Sequence, residues 1–151
     1  MQQPDQTDVH QGGCLCNAVR YAFAGPLSKV VVCHCRDCQR ASGSAAAYNI
    51  RVPAHTLTIT KGSCQCYTVR AASDENLTRM FCAQCGSQLF SQREKLPEMM
   101  TVKAGTLDAI GGLVLARHIW TDSAMPWTTF DDTLPCHARE YDGLRQAKRE
   151  P

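Results

Sequence analysis

The sequence predicts a mainly β domain built from small antiparallel sheets. Short segments with alternating or β-branched apolar residues recur along most of the chain. Gly and Pro residues separate these segments, as is typical of turns between strands. One short stretch in the body of the chain has the pattern of a helix. Together these observations favour an antiparallel β architecture.

The strand pattern is clearest at Ala18–Phe23, where Val19, Tyr21 and Phe23 alternate with Ala and Arg side chains. A short β-branched run follows at Val30–Cys33. The remaining strands are predicted at Ala46–Val52, Leu57–Thr60, Gln65–Val69, Thr78–Cys82, Leu89–Ser91, Met99–Ala104 and Leu113–Trp120.

Breaker residues define the ends of the predicted elements. Pro53 and the turn Lys61-Gly62-Ser63 separate the middle strands, and Gly105 and Gly111-Gly112 separate the last ones. A single helical turn is predicted at Cys35–Ala41, because Ser42-Gly43 directly after it would stop a helix.

The chain of 151 residues fits one domain, which we expect at residues 12–135. A polar segment, residues 1–11, is expected to be a flexible N-terminal lead. Residues 136–151 are expected to form a C-terminal tail, in which Ala138–Arg149 is either a short surface helix or frayed.

Charge and hydropathy argue against two classes of partner. The formal net charge is +2 and there is no basic run, so bulk electrostatics give no support for nucleic-acid binding. The uninterrupted apolar runs are far too short to span a bilayer. The N-terminus lacks the basic and apolar regions of a secretory signal, so we expect a cytoplasmic protein.

Seven of the ten cysteines form three tight clusters. These are C-x-C at Cys14 and Cys16, C-x-C-x-x-C at Cys33, Cys35 and Cys38, and C-x-x-C at Cys82 and Cys85. Thiolates at this spacing can converge on one metal ion, whereas such clusters are poor disulfide scaffolds. A closed zinc site takes four thiolates, and the remaining three would leave a second zinc with an open position. The count therefore predicts one structural zinc and one catalytic-type zinc.

The segment FCAQCGSQLF is a zinc-knuckle half-site. The Gly after its second Cys allows the chain to turn, so that backbone N–H groups can point at the sulfurs. Its partner must be another pair of thiols. Spacing alone leaves open whether that pair is Cys14 and Cys16 or two thiols of the CHCRDC segment.

The CHCRDC segment predicts a compact face of three thiolates. Cys33 and Cys35 share one side of an extended segment, and Cys38 returns from the first helical turn. His34 points away from them, which favours a solvent-facing or supporting role over ligation. The alternative is that His34 or a water completes a second structural site.

Five motifs, in this order, carry a family resemblance: GGCLCNAVRY, CHCRDCQRASGS, FCAQCGSQLF, KAGTLD and HIW followed by PW. Together they resemble the family of glutathione-dependent formaldehyde-activating enzymes, whose domain is shared with centromere protein V. The resemblance covers most of the chain, from Gly12 to Trp127.

The resemblance implies a fold, a metal content and an activity. The fold would be the Mss4-like fold of small antiparallel sheets joined by zinc. The structural zinc would be held by Cys14, Cys16, Cys82 and Cys85, and the second, catalytic-type zinc by Cys33, Cys35 and Cys38. The family activity is the addition of glutathione to formaldehyde, which is classed with carbon–sulfur lyases.

A physical mechanism is consistent with that activity. Zinc with an open position can hold an incoming thiol as a thiolate, which then attacks the aldehyde carbon. Zinc, a nearby Arg, or backbone N–H groups around Ser42–Ser44 could stabilise the developing alkoxide. The expected partners are therefore a thiol such as glutathione and a small aldehyde, while the substrate and the oligomeric state stay open.

Three thiols lie outside the family pattern. Cys64 and Cys66 form a further C-x-C after the Gly62 turn, and we expect them to be adventitious. If they ligated the second metal, its open position would be lost. Cys136 is expected to be a free thiol.

Two other classes of function remain. One is a non-catalytic zinc-stabilised β module that binds a protein or nucleic acid, because fold does not fix function. The other is a metal- or redox-responsive protein that uses Cys64 and Cys66. A fully coordinated second zinc and no small-molecule binding would favour the first of these.

Overall fold

The computed structural model describes residues 8–140 and is mainly β, as the sequence predicts. Its strands are β1 (Val9–Gly13), β2 (Arg20–Ala24), β3 (Val30–Cys33), β4 (Ala47–Pro53), β5 (Leu57–Lys61), β6 (Cys64–Arg70), β7 (Asn76–Cys82), β8 (Gln88–Arg93), β9 (Met99–Lys103) and β10 (Leu115–Ile119). In this described part of the chain, one α-helix, α1, spans Arg36–Ser42, and short 3-10 turns occur at Ala54–Thr56, Ala104–Thr106 and Thr121–Ser123. The expectation of small antiparallel sheets is confirmed.

The chain divides into two compact units. Among the described residues, the first comprises residues 8–30 and Tyr48–Val114, and the second comprises Val31–Ala47 and residues 115–140. Each unit contains one group of clustered cysteines.

Antiparallel strands build the first unit. Strands β1, β2 and β5 form one sheet in the order β1-β2-β5, and β4, β9, β8, β7 and β6 are successive neighbours in another. In the β6–β7 hairpin Cys64 lies opposite Cys82, and Arg70 lies opposite Asn76. This register brings a cysteine outside the predicted clusters next to one inside them.

The core of the first unit follows from the alternation of its strands. In β2 Tyr21 and Phe23 are buried, while Arg20 and Ala22 on the other face are partly exposed. The core includes Val19, Tyr21, Phe23, Ile50, Val52, Leu89, Phe90 and Val102. Burial of each large side chain stabilises the fold by roughly 1.5–3 kcal/mol. Cys14 and Cys82 belong to this core, which anchors the loops that carry the other thiols.

The second unit contains α1 and the neighbouring strands β3 and β10. The Sγ of Cys35 caps the start of α1 by accepting a hydrogen bond from the Cys38 N–H. Gly43 ends the helix with a φ of 68°, and its N–H donates to the Gln39 carbonyl at 2.8 Å. The predicted helical turn is therefore present.

Within residues 8–140, no helix is long and apolar enough to cross a membrane.

Strand β10 is shorter than the predicted Leu113–Trp120. It begins at Leu115 and ends at Ile119, because Trp120 has a φ of 57° in the left-handed region. A residue in that conformation cannot continue an extended strand.

The chain ends differ from the predicted lead and tail. Strand β1 starts at Val9, inside the expected lead, because its backbone pairs with β2 from Val9 opposite Ala24 onward. In the expected tail, the His137 N–H donates to the His118 carbonyl at 2.9 Å. Residues 1–7 and 141–151, with most of the segment expected to be helical or frayed, lie outside the described residues.

Candidate metal centres

The first group of thiols brings together Cys14, Cys16, Cys82 and Cys85, whose Sγ atoms all lie within 4.8 Å of one another. The first two follow β1, Cys82 ends β7, and Cys85 lies in the turn before β8. We call them the four-thiol group. Of the two pairings that the spacing left open, the structure therefore joins the C-x-x-C pair to Cys14 and Cys16.

The geometry of the four-thiol group fits a tetrahedral metal. The Sγ of Cys16 lies 3.6 Å from that of Cys14 and 3.8 Å from that of Cys82. A tetrahedral zinc with Zn–S bonds of about 2.3 Å would separate its sulfurs by about 3.8 Å. These separations are far longer than a disulfide bond of about 2.0 Å. The four-thiol group could therefore hold a metal ion.

Hydrogen-bond donors surround the sulfurs of this group. The Val19 N–H donates to the Cys14 Sγ at 3.2 Å, and the Ser87 hydroxyl lies 3.1 Å from the Cys85 Sγ. The Ser87 side chain, with the backbone N–H groups of Ser87 and Cys16, lowers the pKa of Cys85 to about 5. Donors of this kind stabilise thiolates and tune a bound metal.

Ser87 also joins the two cysteine loops, a role that the sequence did not suggest. Its hydroxyl accepts a hydrogen bond from the Leu15 N–H at 3.1 Å. Gly86, directly before it, has a φ of 75°, and its N–H donates to the Cys82 carbonyl at 2.8 Å. The predicted turn after the second Cys is therefore present. In the sequence, the sign of this role of Ser87 is a hydroxyl side chain two positions after Cys85.

The second group brings together Cys33, Cys35 and Cys38, again with all Sγ atoms within 4.8 Å. We call them the three-thiol group. Cys33 ends β3 and is buried, whereas Cys35 and Cys38, at the start of α1, are partly exposed. The Cys38 N–H donates to the Cys35 Sγ at 3.3 Å. This group could hold a metal ion near the surface of its unit.

Electrostatics make a cation a good partner for the three-thiol group. Cys35 and Cys38, together with burial, raise the pKa of the Cys33 thiol above its usual value. Because adjacent thiolates repel one another, all three lose their protons together only when a positive charge lies between them. Among residues 8–140, the group offers three ligand atoms from His, Cys, Asp or Glu. A metal held by these three atoms alone would accept a further ligand from outside the group.

His34 lies in a buried cluster beside the three-thiol group. Its Nε2 is 2.9 Å from the Nδ1 of His118 on β10, and the Phe130 ring lies edge-on to both imidazoles. Burial lowers the pKa of both His34 and His118. Of the two roles expected for His34, solvent-facing or supporting, the solvent-facing one is wrong, because its ring packs inside the unit.

The remaining thiols lie outside both groups, as expected. Cys64 is half-buried opposite Cys82, and Cys66 is exposed opposite Met80. The three-thiol group contains neither of them. Cys136 is an exposed free thiol.

The backbone N–H groups near Ser42–Ser44 are already used, which argues against their suggested role toward an alkoxide. The Gly43 N–H donates to the Gln39 carbonyl and the Ser44 N–H donates to the Ser42 hydroxyl. These hydrogen bonds of the Gly43 and Ser44 N–H groups terminate α1. The sequence alone could not show that the N–H groups are used in this way. Asp108, in the KAGTLD motif, forms an ion pair with Arg20 of β2.

Comparisons with known proteins give a family match and a similar fold. The family model described as glutathione-dependent formaldehyde-activating enzyme matches residues 9–123, a span that contains all seven clustered cysteines. A crystal structure of a Rhodobacter sphaeroides protein has a similar fold, with a TM-score of 0.54 and 21% sequence identity. That similarity covers 70% of this chain and 99% of the other.

Proposed function

Since this chain belongs to the family of glutathione-dependent formaldehyde-activating enzymes, we propose that it adds a low-molecular-weight thiol, such as glutathione, to formaldehyde or another small aldehyde. The thiol sulfur forms a bond to the aldehyde carbon, and the carbonyl becomes a hydroxyl that receives the thiol proton. The product is an S-hydroxymethyl thiol when the aldehyde is formaldehyde. The reaction is of the carbon–sulfur lyase type, and it needs no redox cofactor because nothing is oxidised or reduced.

We assign two zinc ions to each chain. The four-thiol group would hold a structural zinc, since its sulfurs have the spacing of a tetrahedral site and its members join two distant parts of the chain. The three-thiol group would hold the catalytic-type zinc. Thiolate-only donor sets favour zinc over the hard cations Mg²⁺ and Ca²⁺, which take oxygen ligands.

One observation carries the proposal: the three-thiol group is partly exposed and offers three protein ligands among the described residues. Zinc bound there would supply a position at which an incoming thiol is held as a thiolate near neutral pH. The reaction needs no protein nucleophile, because the thiol substrate itself supplies the attacking sulfur.

The chain's own residues would prepare this position. The Cys38 N–H donates to the Cys35 Sγ, which directs one thiolate and offsets part of its charge. Burial of Cys33 keeps water away from one side of the group. Three thiolates make a bound metal a mild Lewis acid, which suits holding a thiolate better than activating water.

Exchange NMR at equilibrium tests the proposal. In a mixture of glutathione and formaldehyde, the wild-type chain should exchange free glutathione with its S-hydroxymethyl adduct faster than buffer does. Cys38→Ser should abolish the acceleration because it removes one ligand of the three-thiol group. Cys136→Ser, which replaces an exposed thiol outside both groups, is the matched control and should retain it. Unchanged acceleration in Cys38→Ser would remove the mechanistic assignment.

A second candidate function is a non-catalytic zinc-stabilised module that binds a protein. It is favoured by β6, which lies at the edge of its sheet and carries Tyr67 with 60% of its surface exposed. Edge strands can pair with a strand of another chain. Glutathione binding distinguishes the two functions, because only the thiol-transfer function requires it.

The cysteines also support a reducing compartment. No disulfide joins any of the ten cysteines, which all lie within residues 8–140, and seven of them lie in the two groups. Since free thiols persist where glutathione and thioredoxin keep them reduced, we place the protein in the cytoplasm as part of the proposal.

A further inference from the structure

His34 separates two members of the three-thiol group, and only 3% of its surface is exposed. Successive side chains of an extended segment point to opposite sides. The direction of the Cys33 and Cys35 thiols is therefore tied to the direction of the His34 ring between them.

Three hydrogen bonds fix His34. Its backbone N–H donates to the Ile119 carbonyl at 3.0 Å, and its carbonyl accepts from the Gln39 Nε2 at 2.8 Å. Its ring Nε2 meets the Nδ1 of His118 at 2.9 Å. Gln39 is itself 3% exposed and donates in addition to the Ser123 carbonyl at 3.0 Å.

His118 is the one hydrogen-bond partner of the His34 ring in the described part of the chain. The other ring nitrogen of His34, Nδ1, is buried there without a partner. His118 is 8% exposed, and the Phe130 ring packs against both imidazoles at 5.1–5.3 Å between ring centres. Loss of the His118 side chain would leave both nitrogens of a buried ring unsatisfied, which favours a different ring position.

We propose that His118 is a positioning residue for the three-thiol group: through its hydrogen bond to His34 it holds Cys33 and Cys35 in the arrangement that binds a metal. The inference deepens the proposed function and rests on it only in assuming that these thiols take a metal. His118 contributes no ligand itself. Partners that orient the ligands of a metal site typically change its affinity by about 10- to 100-fold.

Zinc affinity tests this role without any measurement of activity. The full chain, loaded with zinc, is titrated with a chromophoric zinc chelator, and the release phase that is missing from Cys38→Ser identifies the three-thiol group. His118→Leu roughly keeps the size of the side chain but removes its nitrogens. It should lower the zinc affinity measured from that phase by about 10- to 100-fold. The release phase of the four-thiol group should stay unchanged in the same sample.

His118→Asn provides the rescue. The side-chain amide of Asn places a polar atom close to the position of the His118 Nδ1, so that it can still meet the His34 ring. In His118→Asn, the zinc affinity of the three-thiol group should return to within a few-fold of the wild-type value. The backbone bonds of His118, to Pro135 and His137, do not depend on its side chain and should keep β10 in place in both variants.

His10→Leu is the matched control, because it removes a histidine that bonds to the Gly25 carbonyl in the first unit. It should not change the affinity of the three-thiol group. Equal affinity in His118→Leu and the wild type would overturn the proposal. A parallel loss at both groups, or the absence of a second zinc in the wild type, would overturn it as well.

The outcomes separate this inference from the proposed function. Selective zinc loss in His118→Leu, with no acceleration of thiol–aldehyde exchange by the loaded wild type, would support the positioning role and reject the function. Acceleration by the wild type with no selective loss in His118→Leu would support the function and reject the positioning role.

Discussion

Glu75 is a carboxylate with only 1% of its surface exposed, in the turn before β7. It forms an ion pair with Arg93, and it accepts hydrogen bonds from the Lys95 N–H and the Ser73 hydroxyl, both at 3.1 Å. Burial alone would raise the pKa of Glu75, but the Arg93 hydrogen bond, with the other donors, lowers it below its usual value. The residue therefore stabilises the fold as an anion.

Replacement of Glu75 by Gln should lower the free energy of unfolding by about 3 kcal/mol at pH 7, because Arg93 loses a buried partner. The folded-state pKa is depressed, so the contribution is full above the pKa of an unfolded glutamate, about 4.3, and is lost as the pH falls through the lower folded value. Urea unfolding of the wild type and Glu75→Gln, from about pH 3 to about pH 7, measures the difference in the free energy of unfolding. This range includes the pKa of an unfolded glutamate.

Asp74→Asn is the matched control for this prediction, since Asp74 adjoins Glu75 and also pairs with an arginine, Arg70. That pair is exposed, and exposed pairs contribute little to stability. Equal losses of stability in the two variants would contradict the importance assigned to burial at Glu75.

Cys64 lies opposite a member of the four-thiol group but outside it. Because four thiolates close a zinc site, Cys64→Ser should leave the zinc content of the chain unchanged. Native mass spectrometry measures this content directly. Loss of one zinc from Cys64→Ser would show that a fifth thiol takes part, whereas Cys82→Ser is expected to lose one.

Among the elements, α1 places two of the three thiols of its group and depends on its final turn. Gly43 has a φ of 68°, and an added Cβ would meet no atom within 4 Å. Gly43→Ala should therefore destabilise the protein by about 1 kcal/mol through backbone strain alone. Thermal unfolding measures this loss.

Gly105→Ala is the matched comparison for the helix end. Space is also open around a Cβ at Gly105, but its backbone is not in the left-handed region. This substitution should be neutral or slightly stabilising. A loss at Gly105 as large as that at Gly43 would contradict an effect of the left-handed conformation.

Elements with a strong local pattern could be predicted from the sequence. The alternation of Ala18–Phe23 marks β2, and Ser42-Gly43 marks the end of α1. Strand β1 could not be predicted, because VHQGG has no apolar alternation and is held by its pairing with β2. The early end of β10 depends on the backbone of Trp120, a residue type that favours strands.

At the scale of the whole molecule, spacing predicted the thiol clusters but not how they combine. The family resemblance assigned Cys14 and Cys16 to the C-x-x-C pair, and the structure brings these four together across a separation of 66 residues. The partners around the thiols could not be predicted. Ser87 and His118 act through contacts between distant segments, which a single sequence does not reveal.

The two metal groups proposed for this chain differ in one respect: one is closed by its own four thiols, and the other, with three, would leave a position for a further ligand. The most direct test counts zinc per chain by plasma mass spectrometry, in the wild type and in Cys38→Ser. We expect two zinc ions in the wild type and one in the variant, one for each intact group. A single zinc in the wild type, or two in Cys38→Ser, would contradict the assignment of one zinc to each group.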